Sequence, residues 1–223
     1  MRIIIDCDGP VVNVEPVYCA AYEQAAGELG LPRLDRAAYW RLQRAGGEPS
    51  AILRGARPGQ LRDFEARFRT LLEADATWES ATAQPGVTQV LSDLRSSADL
   101  FLTTLGTNRG ARQRCLDAAG ASIYFSRMAA LGPAGEVRVR RLRELMEGDR
   151  RGLLVAASEE LIRAARSADA ITIGVAAGPC VAQRLTRAGA AHVYADLQQL
   201  QEAVRTSADD LLRAGLNPAD GRC

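Results

Sequence analysis

The stretch Met1-Arg-Ile-Ile-Ile-Asp6-Cys7-Asp8-Gly9-Pro10 constrains the fold more than any other. Three β-branched residues in a row, Ile3 to Ile5, predict a short buried strand. The strand stops at Asp6. A second carboxylate follows one residue later, and then a glycine that lets the backbone turn sharply. In an open α/β sheet, ligands bind beyond the carboxyl ends of the strands. An Asp-x-Asp-Gly placed there presents two acids to a pocket, where one can attack and the other can move a proton. The same residues also read as a strand that ends in two solvated acids at a turn. Cys7, between the acids, should point away from them because side chains alternate along extended chain.

The rest of the composition narrows the possibilities. With 223 residues the chain is long enough for one α/β core and a smaller inserted unit. A net charge of +1 implies neither a nucleic-acid partner nor an anionic membrane. All 28 basic residues are arginine, so any role that usually falls to a lysine ammonium must fall to a guanidinium, a planar and permanently charged group. A single histidine, His192, excludes a cluster of imidazoles around a metal. The five cysteines have no Cys-x-x-Cys spacing, as expected of reduced thiols in a cytoplasmic protein. There is no run of 18 apolar residues, and the chain enters a strand at once, so neither a membrane span nor a signal peptide is expected.

From about Val14 to Ala83 the pattern is helical, without strand signals. Tyr18, Tyr22, Ala25, Ala26 and Leu29 share one helix face; Asp35 can cap a second helix with Tyr39 and Trp40; Leu61, Phe64, Phe68 and Leu71 mark a third. The aromatics among them read as the core of a small helical domain. Gln84-Pro85-Gly86 is a turn, after which strands and helices alternate. Strands are predicted at Asp99 to Thr104, Met128 to Leu131, Gly152 to Ala157, Ala170 to Val175 and Val193-Tyr194. Helices are predicted between them and from about Asp196 to Val204. That alternation predicts an α/β fold with a parallel sheet covered on both faces.

Taken together, these pieces resemble the haloacid dehalogenase-like superfamily, in particular its phosphoglycolate phosphatase and β-phosphoglucomutase group. The resemblance implies a Rossmann-like core formed by residues 1–13 and 85–215, a helical cap at 14–84 and a C-terminal tail at 216–223. It implies that Asp6 is the nucleophile, forming an aspartyl-phosphate, and that Asp8 is the general acid/base. Gly9, Thr104 and Arg138 take substrate-binding places, with Thr103 or Thr107 as other hydroxyls that could fill the second motif. Asp6 and the backbone carbonyl of Asp8 would hold Mg²⁺. Ile173 to Gly178 and Arg187 to Tyr194 resemble the elements that follow the fourth motif. That motif itself departs from the family. Its two metal-binding acids are replaced by Ala157 and Leu161, leaving Glu159 or Glu160 as the nearby carboxylates that could reach a metal. Their other role is to place negative charge in the first turn of a helix.

Two readings follow. In one, the chain is a phosphatase-type hydrolase of a small phosphorylated metabolite, its activity weakened by the loss of metal ligands. In the other, the same fold persists as a catalytically impaired protein that binds a phosphometabolite or a partner protein. Intact Asp6 and Asp8 favour the first, and Ala157 and Leu161 the second.

Overall fold

A computed structural model of the chain describes residues 2–132, 135–147 and 152–214. The proposed tail at 216–223 lies outside them. The strands are β1 (Arg2–Asp6), β2 (Val12–Asn13), β3 (Thr82–Ala83), β4 (Asp99–Thr104), β5 (Arg127–Ala130), β6 (Leu153–Ala156), β7 (Ile171–Val175) and β8 (His192–Tyr194). The helices are α1 (Glu15–Glu28), α2 (Arg36–Ala45), α3 (Pro49–Ile52), α4 (Pro58–Leu72), α5 (Asp75–Trp78), α6 (Val87–Arg95), α7 (Arg109–Ala118), α8 (Glu136–Met146), α9 (Glu159–Ser167), α10 (Ala182–Ala188) and α11 (Leu197–Ala214).

Six strands form one parallel sheet in the order β5-β4-β1-β6-β7-β8. Strand β1 lies inside it, which explains its composition. Ile3, Ile4 and Ile5 are fully buried. Ile3 and Ile5 face one apolar core, while Ile4 faces a second on the opposite side of the sheet. A strand buried on both faces needs an unbroken apolar run rather than alternation. After β1 the chain builds outward to β4 and β5, then crosses back to β6 on the other side. Strand β1 therefore lies at the point where the strand order reverses, and a crevice opens there beyond the carboxyl ends.

Between β2 and β3 lie five helices, α1 to α5. Their aromatics pack on one another. Tyr22 stacks on Tyr39 with ring centroids 4.0 Å apart, and Tyr18 meets Trp40 and Phe68 edge-on. Such pairs add about 0.5–1.5 kcal/mol each beyond their buried area. Asp35 caps α2 by accepting a hydrogen bond from the Ala38 N–H at 2.8 Å.

Within the stretch expected to lack strands, Thr82–Ala83 pairs antiparallel with Val12–Asn13. Two residues are too few to show a period, so this closure of the insertion's two ends is invisible to pattern. The short α5 is likewise without a sequence signal. Ser158 caps α9, its hydroxyl accepting from the Leu161 N–H. Helix α10 begins only at Ala182, because the preceding loop packs Gly178 against Gly9. Helix α11 runs ten residues past its predicted end, since Ala203 to Ala214 continue its apolar spacing.

Candidate active site

Loops after β1, β4 and β6 meet at the sheet's carboxyl edge. Asp6, the last residue of β1, is 2% exposed. Its two oxygens accept long hydrogen bonds of 3.4 Å from the Asp8 and Ala157 N–H groups. Burial, and then the nearby charge of Asp8, push its carboxyl well above the usual carboxylate range.

Asp8 sits in a different environment. The Arg112 Nε donates to Asp8 Oδ1 at 2.8 Å and Nη2 donates to Oδ2 at 2.7 Å, a two-pronged charge-assisted pair. Thr104 Oγ1 donates to Oδ2 at 3.3 Å and itself accepts from the Gly106 N–H at 3.0 Å. Arg112 is itself nearly buried. Its Nη1 donates to the Asn108 carbonyl at 2.9 Å and lies 3.6 Å from Glu73, and its plane stacks 4.1 Å from the Trp78 ring centre. Burial alone would lower the pKa of Arg112, but the attraction and hydrogen bonds of Asp8, with Glu73 behind them, outweigh burial and leave it raised.

Arg112 was not among the residues that sequence reasoning singles out. One signal existed. It falls beside Ala111 and one turn before Leu116, on the stripe that α7 buries, and a charge on a buried stripe demands a partner.

Asp6, Asp8 and Thr104 thus share one cluster, with Gly9 beside it. Gly9 has φ +114°, and a Cβ there would stand 2.7 Å from both the Ala157 Cβ and the Gly178 Cα. Only glycine fits, because the β1 loop and the Gly178 loop press together on the Ala157 methyl. Arg138 reaches the same edge of the sheet but is committed elsewhere. Its Nη1 pairs with Glu160 and its Nη2 donates to the Gly132 carbonyl at 2.9 Å. Among the described residues no hydrogen bond or ion pair joins it to Asp6, Asp8 or Thr104. Thr103 donates to the Ala129 carbonyl inside the sheet, and Thr107 donates to Glu73. Thr104 is therefore the hydroxyl that reaches the aspartates.

The corner where the resemblance implies Mg²⁺ can be tested against its donors. Mg²⁺ takes six oxygens in a near-octahedral set. Ala157 and Leu161 are fully buried and apolar. A Cβ on Gly178 would come within 2.6 Å of the Ala157 Cβ, so the Gly178 loop packs closely on the Ala157 methyl. Glu159 is paired with Arg184 at 2.7 Å, which holds its pKa below the usual range. Glu160 is paired with Arg138. Neither glutamate stands in as a ligand, and among the described residues no three His, Cys, Asp or Glu side chains gather to hold a metal. The residues present do not fit Mg²⁺.

The helical insertion lies against this edge on two sides. Glu73 Oε2 accepts from the Thr107 N–H, the Thr107 hydroxyl and the Asn108 N–H at 2.7–3.0 Å. Across the edge, the Val181 N–H donates to the Arg44 carbonyl at 3.1 Å, and Arg184 Nη1 donates to the Gln43 and Arg44 carbonyls at 3.2 Å. Gln84 Nε2 donates to the Gly9 carbonyl at 2.7 Å. No described helix is long and apolar enough to cross a membrane.

Solved structures with this architecture span nearly the whole chain. A hydrolase of the haloacid dehalogenase-like family from Streptococcus pneumoniae superposes with a TM-score of 0.72 at 16% identity, covering 90% of this chain and 96% of that one. The chain has the haloacid dehalogenase-like fold. A structure assigned as a phosphoglycolate phosphatase from Lactobacillus delbrueckii matches at TM-score 0.66 and 16% identity, over 91% of this chain and 97% of its own. One assigned as a β-phosphoglucomutase from Thermotoga maritima matches at 0.61 and 23%, over 92% and 99%. No family model matches the sequence, and no curated protein matches it. This haloacid dehalogenase-like fold is thus carried by architecture, at identities where sequence likeness has faded.

Proposed function

We propose that the chain is a phosphatase-type haloacid dehalogenase-fold protein that binds a small phosphorylated metabolite under its helical cap, without Mg²⁺-dependent turnover. The observation that carries this reading is the closed corner at Ala157, packed between Gly9 and Gly178. Asp6 attack on phosphorus joins two anions. A metal between them is worth several kcal/mol of charge neutralisation, at tenfold in rate per 1.36 kcal/mol. Here the acids that would hold such a metal are replaced by the buried Ala157 and Leu161, and burial draws the Asp6 carboxyl toward its protonated form, the weaker nucleophile. Asp8, as acid/base, is tied to Arg112 and Thr104. In this reading Arg112 and Thr104 turn to an anion only when their bonds to Asp8 open, and Arg138 braces α8 against α9.

A second reading, slow hydrolysis through an aspartyl-phosphate at Asp6, is favoured by one observation: Asp6, Asp8 and Thr104 do gather in one cluster. Assay of p-nitrophenyl phosphate with and without Mg²⁺, beside Asp6→Asn, separates the two. Binding without turnover predicts no Mg²⁺-dependent rate above that of Asp6→Asn. A Mg²⁺-stimulated rate lost in Asp6→Asn would establish the hydrolase instead.

A further inference from the structure

Among the described residues, Arg112 is the one side chain joined by hydrogen bond or ion pair both to an aspartate of the site and to the helical insertion. Two of its nitrogens hold Asp8, and a third donates to the core carbonyl of Asn108. Its remaining surroundings come from the insertion: the Trp78 ring lies over its plane, and Glu73 lies 3.6 Å from Nη1. The same Glu73 carboxylate takes the N–H groups of Thr107 and Asn108. Among the described residues, Asp8 reaches the insertion by hydrogen bond or ion pair only through Arg112.

We propose that Arg112 is a positioning residue that couples the seating of the insertion to Asp8. With the α4–α5 corner seated, Trp78 and Glu73 hold the guanidinium against Asp8, and that carboxylate is fixed in a two-pronged pair with a further hydrogen bond from Thr104. Lifting the corner removes two of the four supports of Arg112. Asp8 is then released, and a guanidinium becomes available to an entering anion. The coupling runs both ways, as any linkage between two sites must, so loosening Asp8 must loosen the insertion. It holds whether or not the chain turns over a phosphate ester.

That reciprocity gives a test without any ligand. The Thr107 and Asn108 amides belong to the core, yet their acceptor belongs to the insertion, so their hydrogen exchange reports its seating. Residue-resolved exchange on the full chain is compared for wild type, Asp8→Asn, Arg112→Met, Arg112→Lys and Trp78→Phe, with Leu154 of β6 as the internal reference. Losing a charge-assisted pair should speed local opening and these two amides about tenfold, with Leu154 unchanged. Asp8→Asn and Arg112→Met should both do this. Arg112→Lys should recover only part of the protection, because an ammonium cannot fork and stack at once. Trp78→Phe, which keeps a ring face, should stay near wild type. If Arg112→Met fails to fold, the isosteric Asp8→Asn decides alone. Wild-type exchange at Thr107 and Asn108 in Asp8→Asn would overturn the proposal, leaving Arg112 a packing residue. So would an acceleration shared equally by Leu154, which would mark general destabilisation.

Discussion

The two flanks of the β1 loop solve the same electrostatic problem in opposite ways. On the β4 side everything is polar and wired: Thr104, Asp8, Arg112, Asn108 and Glu73 form a continuous chain of hydrogen bonds and ion pairs. On the β6 side the residues packed on the β1 loop are apolar, Ala157 and Gly178 against Gly9, and Leu161 is buried in the second core. Charge on one flank is balanced by a guanidinium borrowed from α7. On the other flank the carboxylates of Glu159 and Glu160 are paired with Arg184 and Arg138, and Asp6, which borders it, has its pKa raised by burial. Where the resemblance implies two metal-binding acids, the β6 flank has apolar packing around Ala157 and Leu161, and the guanidinium that meets an aspartate, Arg112, lies on the opposite side of β1.

Returning a carboxylate to the apolar flank should break this contrast most severely. Leu161→Asp places an acid in a fully buried position of the second core. It combines lost packing with an uncompensated charge and should cost about 3–5 kcal/mol, measured as the shift in urea midpoint. A loss below about 1 kcal/mol would mean that water or a cation reaches position 161. Rescue of Mg²⁺ chemistry by the pair Ala157→Asp and Leu161→Asp, the change that the lost motif suggests, is therefore not expected.

Next in size is the steric seal. Gly178→Ala sets a methyl 2.6 Å from the Ala157 Cβ and 3.3 Å from the Asp8 carbonyl. Overpacking of rigid backbone should cost about 1–3 kcal/mol. Adding Ala157→Gly moves the methyl across the contact rather than duplicating it, and should return much of that stability. Additive losses in the double variant would show that the two positions do not share one space.

The smallest effect is pH-dependent and sharpens the electrostatic half of the contrast. Asp6 has its pKa raised on folding, so the folded state holds its proton more tightly than the unfolded chain. Its contribution therefore turns unfavourable as pH rises from the unfolded value of about 3.9 toward the folded one. Asp6→Asn removes that cost. It should raise the melting temperature at neutral pH, with the gain fading as pH approaches 4. A gain that persists unchanged in acid would place its origin outside ionisation.

How much of this was legible in the sequence divides along the same line. Long-period features were readable: the buried strand Ile3 to Ile5, the strand–helix alternation and the aromatic helices all follow from repeats of apolar residues. Features made by meeting backbones were not. The two-residue pairing of Val12–Asn13 with Thr82–Ala83 has no period, and the Gly9–Ala157–Gly178 contact joins three loops far apart in the chain. Asp8 was readable as a candidate, but its partner was not, because Arg112 lies 104 residues away on a helix whose sequence shows only one arginine too many on its buried stripe. Glu159 and Glu160 read in sequence as candidate metal ligands, because nothing local shows that Arg184 and Arg138, 25 and 22 residues away, hold them.

Mn²⁺, a paramagnetic stand-in for Mg²⁺, tests the central claim most directly: no divalent metal is held between Asp6 and the β6 flank. Free Mn²⁺ is followed by electron paramagnetic resonance while the full wild-type chain is titrated beside Asp6→Asn. The two proteins should remove the same small amount of Mn²⁺ from solution. One equivalent bound by wild type and absent in Asp6→Asn would contradict it.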